Sequence, residues 1–337
     1  MRAMKILVRV PNWIGDCVLA QPAIESIAAN FPDAELWLCA GEWVKDLFSA
    51  DSRIAGVVPL PPRNDLRGFR AVARMIKTRG FDTGVLLTNS FGSAFLFSLA
   101  GIPQRWGYAA DGRRLLLTKA VRNNNRDAPR HQVRYYLDLL SGLSLKTLSP
   151  TLRLNVPEEK KEEARELLEK LGAGPHQPLL VLSPGAAYGP AKRWPASRFA
   201  ELASLFQKRK GASVVLIGSP AESDLAAAIS SALDPKPLDL TGRTTLPQLM
   251  AVVSRARLFI SNGSGPMHLA NALRVPVVGI FGPTDPAVTG PFEPPAAVVK
   301  KDVPCWPCSY RKCPYDHRCM TRIDPEEVYR AGEALWG

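Results

Sequence analysis

The chain has 337 residues, 46% of them hydrophobic, a length that exceeds one core of ordinary size and predicts two domains. No apolar run is long enough to span a bilayer, and Met1 to Val10 lacks the apolar core and cleavage site of a signal peptide, so a cytosolic location is expected. The net charge of +12 is uneven, with 21 Lys/Arg against 12 Asp/Glu through Pro157 and 22 against 19 beyond it; the basic first half suits an anionic partner, and charge alone does not choose among nucleic acid, a phosphorylated substrate and an anionic leaflet.

Lys5 to Val10 (KILVRV) predicts a first strand, broken by Pro11 and the turn-like NWIGD and followed by a helix from about Val18 to Asn30. Strands are predicted at Glu35 to Cys39, Gly56 to Pro59 and Thr83 to Thr88, with helices near Trp43 to Phe48, over the Arg-rich Leu66 to Arg79, and at Phe91 to Ala100. Arg105 to Arg134 reads as basic and irregular. Pro150 to Pro157 reads as a linker, giving domains at 1–157 and 158–337, and Glu158 to Leu171 as a charged helix. The alternation then restarts, with strands at Leu179 to Leu182, Ser213 to Ile217, Leu238 to Leu240, Leu258 to Ile260 and Val277 to Ile280, and a final helix from about Asp324. Strands alternating with helices imply parallel sheets, and two such halves predict a cleft faced by the carboxyl ends of the strands.

Three loops belong to that cleft. The first follows Leu179 to Leu182, whose short continuous apolar run suits a strand covered on both faces. In SPGAAYGPAKRWP the glycines and prolines exclude regular structure, while Gly185, Ala186 and Ala187 offer backbone N–H groups and Lys192 and Arg193 supply charge for a phosphate. The second, Ser261 to His268 (SNGSGPMH), opens a helix at about Pro266, and its small residues suit a phosphate or sugar. His268 there is either a hydrogen-bonding strut or a catalytic group. The third is Pro11 to Asp16, where Asp16 is either an N-cap or a general base. Glu222, after the strand ending at Ile217, is either a ribose ligand or a helix-dipole partner.

Cys305, Cys308, Cys313 and Cys319, spaced C-x2-C-x4-C-x5-C, offer either a structural metal knuckle or, with Pro304, Pro307 and Pro314, a rigid loop of plain thiols. A nicotinamide-dependent oxidoreductase would want G-x-G-x-x-G after the first strand, and PNWIGD is not that. A serine hydrolase using Ser264, His268 and Asp285 would want a nucleophile elbow, which is absent. No stacking or helix-turn-helix signature supports a nucleic-acid partner.

Taken together, NWIGDCVLAQPAI, PGAAYGPAKRWP, NGSGPMHLANAL and FGPTDP resemble the ADP-heptose:lipopolysaccharide heptosyltransferases, and the PGAxxGPAKRWP form is most similar to the heptosyltransferase II branch. The resemblance covers nearly the whole chain. It implies a GT-B fold of two Rossmann-like domains, the acceptor on the N-terminal side and the nucleotide sugar on the C-terminal side, with the final helix packing back on the first domain. It further implies an inverting transfer from ADP-heptose to the phosphorylated lipid A core, at the second position or alternatively the first or third, with no cofactor required. Asp16 would be the base and Lys192 the phosphate contact. Ser264, Gly265 and His268 would join Glu222 and Thr244 at the donor, and Asn12, Trp13, Asn89, Ser90 and Arg113 would meet the acceptor. The basic tracts Arg63 to Arg79 and Arg105 to Arg134 fit an anionic substrate at the inner face of the cytoplasmic membrane, and Phe91 to Phe97 either approaches acyl chains or, the favoured reading, fills the core. One position departs from the family pattern: Gly263 stands where a carboxylate usually precedes the Ser/Thr-Gly pair.

Overall fold

The computed structural model describes residues 2–60, 66–123, 130–174 and 176–337. Two compact units emerge, Met1–Thr151 and Leu152–Gly337. In the first, β1 (Lys5–Arg9), β2 (Glu35–Ala40), β3 (Ile54–Pro59), β4 (Thr83–Leu86), β5 (Gln104–Tyr108) and β6 (Lys119–Val121) form one parallel sheet in the order β3-β2-β1-β4-β5-β6. The second builds the same plan from β7 (Leu179–Ser183), β8 (Ser213–Leu216), β9 (Leu238–Asp239), β10 (Leu258–Asn262), β11 (Val277–Phe281) and β12 (Ala296–Lys300), ordered β12-β11-β10-β7-β8-β9. Each chain path builds outward from its first strand, then returns to that strand's other side. The reversal leaves a crevice at the carboxyl ends of β1 and β4 in one unit, and of β7 and β10 in the other.

Why the central strands read as continuous apolar runs is visible in the second unit. Leu180, Leu182, Leu258, Ile260, Val278 and Ile280 enter one core, while Leu179, Val181, Phe259, Val277 and Phe281 enter a second on the opposite face. Alternate side chains point to opposite faces of a strand, so a sheet covered twice needs apolar residues at every position.

The edges depart from expectation. Arg105 to Arg134, expected to be irregular, contains most of β5, all of β6 and the start of a helix at Gln132–Gly142; β12 had no sequence counterpart. The strands β6 and β12 are edges, where one side lacks a covering neighbour and polar residues are tolerated. The helix expected over Val18 to Asn30 is two, Ile14–Leu19 and Gln21–Asn30, with Pro22 in the first turn of the second. The final helix, Pro325–Glu333, packs on its own unit: Val328 and Tyr329 are buried in that core. Tyr329 meets Phe206 of the Ala196–Lys210 helix at 4.8 Å, and Lys210–Glu333 and Arg209–Glu326 ion pairs border the contact. Leu152 and Leu154 already belong to the second unit, bonded to the Glu293 carboxylate at 2.7 Å and to the Ala272 carbonyl at 2.9 Å. Among the described residues no helix is long and apolar enough to cross a membrane.

Candidate active site

The crevice of the second unit is laced by one side chain. Asn262, at the end of β10 and fully buried, donates from Nδ2 to the carbonyls of Pro184 (2.6 Å) and Gly185 (3.3 Å) and accepts at Oδ1 from Trp194 N (3.0 Å). It thereby pins both ends of the loop that leaves β7. Trp194, fully buried, seals the far end by donating Nε1 to the Ile323 carbonyl and packing edge-on against Phe199. Between these anchors Lys192, on a short 3₁₀ turn at Pro190–Lys192, donates Nζ to the Gly263 carbonyl at 3.0 Å and lies 5.0 Å from the Tyr188 ring. A cation therefore bridges the two loops of the reversal point, beside the N-terminus of the Gly265–Ala272 helix.

That N-terminus carries unpartnered polar groups. Ser264 is the N-cap residue, yet its hydroxyl makes no cap bond, and the buried Oγ has no hydrogen-bond partner among the described residues; the same holds for Arg193 Nε. A buried polar atom without a partner costs about 1–3 kcal/mol, which an incoming acceptor atom would recover. The helix N–H groups, the Ser264 hydroxyl and the Lys192 ammonium together suit a diphosphate. At Gly263 a Cβ would lie 2.7 Å from the Phe281 ring, so a side chain there would displace Phe281. The place of the missing carboxylate is thus filled by an aromatic wall, and Lys192 binds main chain there.

Sequence reading placed the other donor candidates on the same rim, with differing outcomes. Gly185 and Ala186 are buried and Ala187 exposed in the β7 loop, and His268 is buried on the first turn of its helix. Glu222 Oε2 accepts from Ser219 N (2.7 Å) and Oγ (2.9 Å), closing a capping box, so its local helix role is present. The same carboxylate lies against Gly185, where a Cβ would come within 1.7 Å of Oε1, and so it also borders the loop of Lys192. Thr244 sits on the outermost loop, beyond the edge strand β9, beside Thr245, which caps the Leu246–Ser254 helix.

The cysteine tract packs on the loop of Lys192. Tyr188 Oη donates to the Ser309 carbonyl at 2.6 Å, Ala191 N to the Arg311 carbonyl at 3.1 Å, and His317 Nε2 meets the Ala191 carbonyl at 2.7 Å. The four thiols line a cavity of about 220 Å³ behind Ala191. All are free, and burial, reinforced by the neighbouring thiols, pushes Cys319 up to about 11. Among the described residues no three His, Cys, Asp or Glu side chains are arranged to hold a metal ion.

In the first unit the crevice between β1 and β4 carries Asn12, Trp13 and Asp16 on one side and Asn89 and Ser90 on the other. The Ile14–Leu19 helix begins after Trp13, so Asp16 is not its N-cap; it is half-buried in the first turn. Its charge raises the buried Tyr136 phenol, after desolvation, and so acts close to that ring. Asn12 is held by Arg9, a buried cation that sequence reading missed: Arg9 donates to Asn12 Oδ1 at 2.6 Å, to the Cys39 carbonyl at 3.2 Å and to the Val10 carbonyl. Its signal was a cation at the end of an otherwise buried strand. Trp13 is 54% exposed. Asn89 Nδ2 donates to Tyr135 Oη at 2.6 Å, and Ser90 Oγ caps the next helix by accepting from Ser93 N.

Arg113, expected to meet the acceptor, is committed to bonds within its own unit. Fully buried, it donates to the Tyr108 carbonyl (3.0 Å), to Ser93 Oγ (3.2 Å), to Asn89 Oδ1 and to the Thr88 carbonyl, and burial lowers it to about 10. It is a strut that holds the loop after β4, because desolvating a guanidinium requires that its N–H groups find such partners. Of the two readings of Phe91 to Phe97, core filling, the favoured one, holds for Phe97, which is buried, and not for Phe91 and Phe95, which are exposed. Arg63 and Arg126 lie outside the described residues.

Comparison with known proteins agrees with this architecture. The family model for glycosyltransferase family 9 (heptosyltransferase) matches residues 69–318. Lipopolysaccharide heptosyltransferase 2 of Escherichia coli (strain K12) is 30% identical over 311 residues, 88% of each chain. The solved structure of E. coli ADP-heptose lps heptosyltransferase II superposes with a TM-score of 0.84 at 28% identity, covering 99% of this chain and 98% of that one. A glycosyl transferase family 9 structure from Veillonella parvula DSM 2008 gives 0.86 at 26%, covering 99% and 97%. With two sheets wound on one plan, a cationic crevice in the second and a match that spans most of the sequence, the chain belongs to glycosyltransferase family 9, the heptosyltransferases.

Proposed function

We propose that this glycosyltransferase performs the heptosyltransferase II reaction, an inverting transfer of heptose from ADP-L-glycero-D-manno-heptose to the heptosyl-Kdo-lipid A core of lipopolysaccharide. The observation that carries the donor assignment is Lys192 bridging to Gly263 beside the uncommitted Ser264 hydroxyl. The resemblance to heptosyltransferase 2 proteins supports the choice of acceptor.

In this reading Asp16 accepts the proton of an acceptor hydroxyl as its oxygen attacks the anomeric carbon, and the bond to the β-phosphate oxygen breaks on the opposite face. Charge grows on the leaving diphosphate. Lys192, Ser264 and the helix N–H groups stabilise that charge more strongly in the transition state than in the bound donor. Glu222 and His268 border the donor loops and orient the nucleotide sugar. The displacement as written needs no cofactor. The exposed arginines of the Leu66–Arg79 helix draw the protein to the anionic inner face of the cytoplasmic membrane.

Incubation with ADP-heptose and core acceptors carrying no, one or two heptoses tests the proposal. Product mass should rise by one heptosyl unit with the one-heptose acceptor. Transfer confined to another acceptor would move the enzyme to the first or third position.

A further inference from the structure

The Phe91–Leu99 helix (FGSAFLFSL) contains no charged residue, although half of it faces outward. Positions 91, 95 and 99 recur at helical spacing on one face, and Phe91, Phe95 and Leu99 are 47%, 43% and 47% exposed. Core packing is already served by Ala94, Leu96 and Phe97, all buried, so it does not account for the outer stripe. Phe69 of the Leu66–Arg79 helix stacks on Phe95 at 5.7 Å, and Phe95 on Phe91 at 6.1 Å, making one aromatic run across two helices. The adjoining 3₁₀ turn Arg113–Leu116 adds Leu115, which is 95% exposed, and Arg114.

Cations flank this stripe. Arg67, Arg70, Arg74 and Lys77 are exposed at spacings of three and four on a helix that has no acidic residue. None of them, nor Arg114, forms an ion pair among the described residues. An apolar ridge beside uncompensated cations is complementary to a surface that is anionic at its face and apolar just beneath it. A second copy of the chain would fit poorly, since a two-fold contact on this stripe would bring the same cations together.

We propose that this face docks on an anionic phospholipid bilayer, with Phe91, Phe95, Leu99 and Leu115 entering the boundary between headgroups and acyl chains and Arg67, Arg70, Arg74 and Arg114 meeting lipid phosphates. It rests only on the membrane part of the proposed function; the transfer chemistry does not enter.

Flotation of the full chain with phosphatidylglycerol-containing and phosphatidylcholine-only vesicles tests it, alongside F95S/L99S, R70E/R74E and F95W. The unaltered protein should float with the anionic vesicles. R70E/R74E should lose affinity by about fivefold or more per charge removed, and F95S/L99S by about tenfold with its melting temperature kept. Emission of F95W should shift to the blue on anionic vesicles. Turnover on a deacylated acceptor in solution should be the same in F95S/L99S as in the unaltered protein. Failure of the unaltered protein to float would sink the membrane reading itself. Full flotation of F95S/L99S, or unresponsive F95W emission, would sink the assignment of this face. Two further results would also overturn it: self-association abolished by F95S/L99S would give the stripe to a second copy, and a matching loss of turnover on the deacylated acceptor would give it to the acceptor site.

Discussion

Replacing Lys192 by Ala tests the donor assignment most directly. The ammonium donates to the Gly263 carbonyl at 3.0 Å from a half-buried position, so truncation removes one charge-assisted hydrogen bond between the β7 and β10 loops. Such a bond contributes about 1.5–3 kcal/mol. Asn262 makes three further bonds across the same two loops, and Trp194 closes the far end, so the fold should survive. The larger loss falls on the transition state, where a missing preorganised donor costs about 2.7–4 kcal/mol, or a factor of about 10² to 10³ in kcat. ADP release at saturating ADP-heptose should therefore slow by that factor, while the thermal melt stays cooperative and drops by about 3–12 °C and calorimetry with ADP shows weaker binding. Lys192→Met, which keeps most of the apolar stem over Tyr188, should be as slow as the Ala variant. A kcat within about threefold of normal in either would falsify the placement of the leaving phosphate at Lys192.

Asp16→Asn should lower transfer by about 10² to 10⁴ while ADP binding, measured by calorimetry, is unchanged; normal turnover would leave Asp16 a purely structural residue. Arg113→Ala should lower the urea midpoint of the first unit, because it strands the Thr88 and Tyr108 carbonyls at about 1–3 kcal/mol each; a raised acceptor KM with unchanged stability would contradict the strut. Cys17 and Cys39 are buried and hold their protons above the usual thiol range, Cys39 up to about 11. Unfolded thiols ionise near about 8.5, so the stability present below that pH is lost as pH rises, by about 1.4 kcal/mol per pH unit per thiol until the folded group also ionises. Urea melts at pH 8 and 10 should show a smaller drop in C17S/C39S than in the parent, and equal drops would refute this. In alkylation at pH 8, the exposed Cys305 should react first and Cys17, Cys39 and Cys319 last; peptide mapping over time would show any other order.

The interior of the fold was legible because its central strands are covered twice. A run such as Leu179 to Leu182 has few other uses, whereas β6, three residues at an edge, carries no such mark. The loops of the candidate site were legible for a related reason: Gly and Pro forbid regular structure after β7, and a Lys placed there has an evident use. What could not be read is direction. Nothing local distinguishes the buried Arg113 from the exposed Arg114, because the acceptors that hold Arg113 come from residues 88, 89, 93 and 108. Asn262 looked like any turn residue, and its role depends on carbonyls 77 and 78 positions away. The outward turn of Phe91 and Phe95 was hidden because an uncharged helix has two apolar faces, and composition does not say which is covered.

The joint at Thr151–Leu152 separates two compact units, since Leu152 and Leu154 are already tied to Glu293 and Ala272 beyond it. A chimera spliced at that point would inherit the second unit whole, with Lys192, Asn262 and Ser264, the proposed donor grip, in their native frame. If the proposed division of labour holds, grafting a different first half there would redirect which sugar alcohol is glycosylated without rebuilding the grip on the activated donor.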